Sequence, residues 1–140
     1  MEISFLLIAG TIAALATYLL NNWLQMGGVM ASAGISLLGS VVFYLFPDLI
    51  SPNLTENLPF IIMGASFIGM ASSRIIRKYW IIGISGFVFS LIYLVTGSFF
   101  EGFGGSLGTT AAISLASVYA IQQLKKRIPS FERKFQESNE

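Results

Sequence analysis

Arg74-Ile75-Ile76-Arg77-Lys78 carries three of the chain's eight basic residues and stands between two apolar runs. The other five bases, Lys125, Lys126, Arg127, Arg133 and Lys134, all follow the last apolar run. Short loops rich in Lys and Arg stay on the cytoplasmic side of a membrane, so these two clusters speak to orientation as well as class. With 140 residues, 54% hydrophobic and 11% charged, the chain lacks the polar surface of a soluble domain, and lipid is the expected solvent for its exterior. The net charge of +1 conceals an asymmetry, because Glu2, Asp48, Glu56 and Glu101 sit at segment ends that carry no base.

A spanning helix needs roughly 20 mostly apolar residues. Five stretches approach that length: 3–24, 27–46, 58–76, 79–100 and 105–124. The expected fold is therefore an all-α polytopic helical membrane protein, with a domain of five transmembrane helices over 1–124 and a basic cytoplasmic tail over 125–140. The two basic clusters are separated by the fourth and fifth crossings, so five crossings put them on one side and four would separate them. Counting back places the amino terminus outside. The first segment opens on Met1-Glu2 without a basic leader or cleavage site, and reads as a span rather than a secretory signal. A bacterial inner membrane is the expected location.

The longest connection, 47–57, should be external, with Pro47 and Pro52 stopping one helix and Pro59 starting the next. Asn53-Leu54-Thr55 matches a glycosylation acceptor, a pattern short enough to arise by chance. In the tail, Phe131 and Phe135 lie four apart beside several bases. That suits a short interfacial helix on anionic lipid or, more simply, a frayed anchor for the topology.

Helices in lipid associate through close packing and hydrogen bonds, which small residues four apart favour. Gly28, Ser32, Ser36 and Ser40 share one face of the second segment. Gly69 belongs to such a stripe on the third, Gly86 on the fourth, and Gly104, Gly108, Ala112 and Ala116 form one on the fifth. Each is explained by bundle or oligomer packing alone. A second pattern is superimposed: Tyr18-Leu19, Gly27-Gly28 and Ile35-Ser36-Leu37 recur in order as Tyr93-Leu94, Gly104-Gly105 and Ile113-Ser114-Leu115. The spacings differ by one or two residues. The order is compatible with a repeat of helices 1–2 in helices 4–5, and the orientation makes that repeat inverted, an architecture that in transporters places the site near the midplane.

Chemistry has few places to reside. The chain has neither Cys nor His, which removes disulfides, thiolate metal sites and the commonest general base. Without a nucleophile–base pair or a phosphate-binding fingerprint, an enzyme is not expected, nor is a cofactor, a metal or a nucleic-acid partner. The stretch 96–110 holds five glycines around Glu101, and irregular backbone at membrane depth is tolerated only inside protein or beside a wet cavity. Candidate pathway residues are therefore Glu101, Gly104, Gly105, Gly108, Thr109, Thr110 and Ser114, with Ser36, Gly27 and Gly28 on the second segment. Their plain alternatives are an acidic residue in an external hairpin and hydroxyls bonded to their own backbone. Asn21, Asn22 and Gln25 form either an inner mouth or the polar turn of a hairpin.

The sequence thus favours a small permease for a solute or ion, working as a homodimer or other oligomer, with a pathway built from the second and fifth helices. The other reading is a non-catalytic subunit that stabilises or localises a larger membrane complex.

Overall fold

A computed structural model describes residues 2–46, 51–96 and 105–137, with side chains described as far as residue 127. The fold is all-α, with five helices: α1 Glu2–Asn22, α2 Gly28–Leu45, α3 Pro52–Gly69, α4 Tyr79–Thr96 and α5 Gly105–Glu137. Three of them, α1, α2 and α4, are long and apolar enough to cross a membrane.

The packing follows from small residues. Gly10 on α1 faces Ser90 and the Gly86 carbonyl on α4, and Gly86 in turn faces Ala14 and the Gly10 carbonyl, so the two backbones nearly touch. Gly69 on α3 meets Thr17 and the backbone of Ala14 and Tyr18 on α1. Gly64, also on α3, leaves room for the Phe89 ring of α4. The apolar core lies where these contacts converge, with Ala14, Ile61, Ala65, Ile82 and Phe89 each without solvent exposure.

Helix α3 touches all four of the others. Around it α2 packs on α1, α1 on α4, and α4 on α5, but among the described residues α2 touches neither α4 nor α5. Four helices therefore form an open ring about a fifth, with the gap between α2 and α5. Directions alternate, which gathers like ends. At one end Glu2 accepts hydrogen bonds from Ser51 Oγ (2.5 Å) and Asn53 Nδ2 (3.3 Å). At the other, α1 ends beside the α3–α4 connection, where Arg74, Arg77 and Lys78 are exposed. An antiparallel course of α5 against α4, which the eight residues between them imply, would bring Lys125, Lys126 and Arg127 to that same end.

Two boundaries differ from expectation. The third helix runs over 52–69 rather than 58–76, because Pro52, not Pro59, takes the first turn, and Pro59 lies inside the helix. Its end is drawn in by side chains from α1. Asn21 Nδ2 donates to Met70 O at 3.0 Å, Asn22 Nδ2 to Ala71 O at 3.2 Å, and Ser73 N–H to Asn22 Oδ1 at 2.8 Å. These bonds satisfy carbonyls that a helix terminus leaves open, so the chain turns there and folds Ile76 back into the core, where Tyr18 Oη donates to its carbonyl. The fifth helix does not stop at 124 but continues to Glu137.

Candidate functional site

Because the ring is open, one face of α3 is left uncovered. Phe60, Met63, Phe67 and Met70 recur at spacings of three and four and share that face. Phe60 is 49% and Met63 36% exposed, and Phe67 and Met70 are half-buried. The opposite face, with Ile61, Ala65 and Ile68, is fully inside. The result is an apolar trough with α3 as floor and α2 and α5 as walls, ending toward the basic end of the bundle.

Hydroxyls fix the α2 wall. Ser66 Oγ donates to Met63 O (2.7 Å) and lies 2.7 Å from Ser32 Oγ and 3.1 Å from Ser36 Oγ. With the Ser66 proton given to its own helix, both α2 serines are the donors to it, so all three hydroxyl protons are used within the protein. Ser32 and Ser66 are buried. Gly28 meets Met70 one turn further along, and Gly39 meets Ile62 on the other side. The serine stripe expected on the second segment is thus the seam that seats α2 on α3.

The remaining expected site residues do not converge on one point. Glu101 and Gly104 lie outside the described residues. Gly27 takes a left-handed φ of 86° at the start of α2, and among the described residues an added Cβ at Gly27, Gly105 or Gly108 would meet nothing within 4 Å. Thr109 Oγ1 donates to Gly105 O (3.0 Å) and Ser114 Oγ to Thr110 O (2.7 Å), the backbone bonding expected of helical hydroxyls. On α5 the buried line is Ala111, Ser114 and Val118, so Gly108, Ala112 and Ala116 point away from the core. Of the expected packing residues, Gly69 and Gly86 sit at helix crossings with α1, and Ser40 is half-buried.

Two groups were not anticipated. Ser66 joins the α2 serines, and its serine-after-alanine setting in 65–66 carried no spacing signal of its own. The Gly10, Ala14 line on α1 had one, a small residue every four positions. Among the described residues no three His, Cys, Asp or Glu side chains gather as a metal site would require. Asn21 and Asn22 are committed to the α3–α4 turn. Set against known protein families, characterised proteins and solved structures, the chain matches none.

Proposed function

We propose that the chain is one copy of a small membrane permease whose pathway runs along the open face of α3 between α2 and α5. All five helices then span the bilayer, with the amino end outside and the carboxyl end in the cytoplasm of a bacterial cell. The observation that carries this reading is the gap that the described residues leave in the ring: a second copy laid over it would enclose the trough.

Symmetry supports it. The pattern of helix contacts is unchanged when α1 is exchanged with α4 and α2 with α5, with α3 left in place. Tyr18 and Tyr93 are 75 positions apart in the repeated motif, and so are Thr11 and Gly86, which meet at the α1–α4 crossing with 3.2 Å between the Thr11 α-carbon and the site of a Gly86 side chain. On this reading a two-fold axis in the membrane plane through that crossing would relate the hairpins, as in an inverted repeat.

The test uses the natural absence of cysteine. Met63→Cys, on the trough floor, is expected to give pairs bridged by a short bis-maleimide in native membranes, and Leu37→Cys, 66% exposed on the outer face of α2, is not. Pairing through Leu37 and never through Met63 would remove the pathway. The outward line Gly108, Ala112 and Ala116 favours the second reading, a subunit of a larger complex, and capture of a different protein at Met63→Cys in fixed stoichiometry would select it.

A further inference from the structure

We infer that the trough takes an anionic phospholipid of the cytoplasmic leaflet, one acyl chain lying along α3 and the phosphate at the basic end. The inference deepens the pathway reading by naming what occupies the same face. Four observations bear on it.

The first is polarity. Phe60, Met63, Phe67 and Met70 offer the trough's contents no charge, and the hydroxyl protons at its α2 edge are already spent on Ser66 and Met63 O. A dehydrated ion arriving there would exchange water for apolar side chains, at a cost of several kcal/mol. An acyl chain exchanges one apolar neighbour for another.

The second is length. From Phe60 to Met70 is ten residues, about 15 Å of helix, which is half of a hydrocarbon core about 30 Å thick. The trough is as deep as one leaflet. The third is position: α3 runs from the Glu2 end to the basic end, so these residues occupy its latter half, on the side where the bases gather.

The fourth is charge. Arg74, Arg77 and Lys78 follow Met70 within eight positions, and Lys125, Lys126 and Arg127 continue the helix that forms the opposite wall; all six are exposed. Exposed Trp80 lies under the Lys78 ammonium, 6.0 Å from Nζ to the ring centroid, and Trp23 is 83% exposed at the same end, the depth at which indoles meet headgroups. A lipid phosphate complements this end, and a zwitterionic headgroup does so less well because its own cation meets the same bases.

The full-length protein, purified in a mild detergent, is titrated with dioleoyl phosphatidylglycerol or dioleoyl phosphatidylcholine, and retained lipid is counted by native mass spectrometry. Phosphatidylglycerol should bind about tenfold more tightly. Lys125→Gln and Lys126→Gln should each weaken it about fivefold, as a contribution of about 1 kcal/mol per base implies, with little change for phosphatidylcholine. Met63→Trp, which fills an already exposed position, should reduce retention of both lipids, with unchanged far-ultraviolet circular dichroism as the check on folding. Equal retention of the two lipids by the unmodified chain would overturn the inference, and so would full retention by a folded Met63→Trp protein. A chain that prefers phosphatidylglycerol but never pairs through Met63→Cys keeps the lipid site and loses the pathway. One that pairs yet treats both lipids alike does the reverse.

Discussion

Replacing Gly69 by alanine tests the glycine that, among the described residues, lies nearest the backbone of a neighbouring helix. An added Cβ would meet Thr17 and lie 2.6 Å from Ala14 O and 2.7 Å from Tyr18 N. Backbone atoms of a helix cannot rotate aside as a side-chain tip does. To restore even 3.0–3.4 Å, α1 and α3 must part by about 0.4–0.8 Å, and a gap of that size forfeits roughly a quarter to a half of the dispersion energy of each atom pair across the crossing. Overpacking of this kind costs about 1–3 kcal/mol. Alanine also gains up to about 1 kcal/mol over glycine in a helix, so the comparison is made with Gly83→Ala, whose new Cβ would find its nearest neighbour at an ordinary 3.7 Å, on Leu15. Unfolding both variants by titrating sodium dodecyl sulfate into mixed micelles, with Trp23 and Trp80 fluorescence as the signal, should place Gly69→Ala about 1–3 kcal/mol below Gly83→Ala. Equal stability of the two would mean that α1 and α3 do not cross at Gly69, and the arrangement of the ring would have to be redrawn.

Four further outcomes follow from particular contacts. Thr17 Oγ1 is buried with no hydrogen-bond partner among the described residues, so Thr17→Val should raise stability by about 1 kcal/mol in the same titration; a loss would point to a partner for the hydroxyl. Asn22→Ala, which frees Ala71 O and Ser73 N–H, should cost about 1 kcal/mol and speed hydrogen exchange over 70–76, and unchanged exchange there would count against the clamp. A double-mutant cycle of Ser36→Ala and Ser66→Ala should show coupling of about 0.6 kcal/mol, whereas additive effects would mean that the seam is not hydrogen-bonded. In intact cells, Asn53→Cys should react with a membrane-impermeant maleimide and Ser73→Cys should react only after lysis; reaction of both from outside would refute five crossings.

The number of helices and the segregation of charge were legible because the apolar runs approach the length a span needs, and Lys and Arg declare themselves one residue at a time. For Asn21 and Asn22 the sequence allows an inner mouth or the polar turn of their own hairpin, and the turn they bond instead is the α3–α4 connection. The ends of α3 were not legible. Pro52 and Pro59 are both able to open a helix, and the choice rests on what the preceding residues contact, here Glu2 from fifty positions away. The third helix was extended to 76 because Ile75 and Ile76 are apolar, yet Ile76 is buried by a turn rather than by a helix. The face each stripe presents was equally hidden. Ser32 and Ser36 point at a neighbour and Gly108 and Ala112 point away, although both lines obey the same four-residue spacing, because spacing defines a face and only the topology says what stands opposite. Ser66 acquires its role from α2 alone.

The central place of α3 bears on how the chain is made. It is the helix every other helix touches, yet it is absent from the three that qualify as spans by length and hydropathy, and its first turns carry Asn53, Thr55, Glu56 and Asn57. A helix that does not qualify as a span by itself is thus the one that every other helix touches. On the proposed five-span topology, α1 and α2 would emerge first during synthesis and present the Gly10–Tyr18 face and the Ser32–Ser36 edge as a half-built berth, and α3 would enter against that berth rather than against bare lipid. Insertion of the third helix is then a property of its predecessors. A substitution on α1 that spoils the Gly69 crossing would therefore be felt at the ribosome as well as in the finished bundle, as chains in which the basic turn never reaches its proper side.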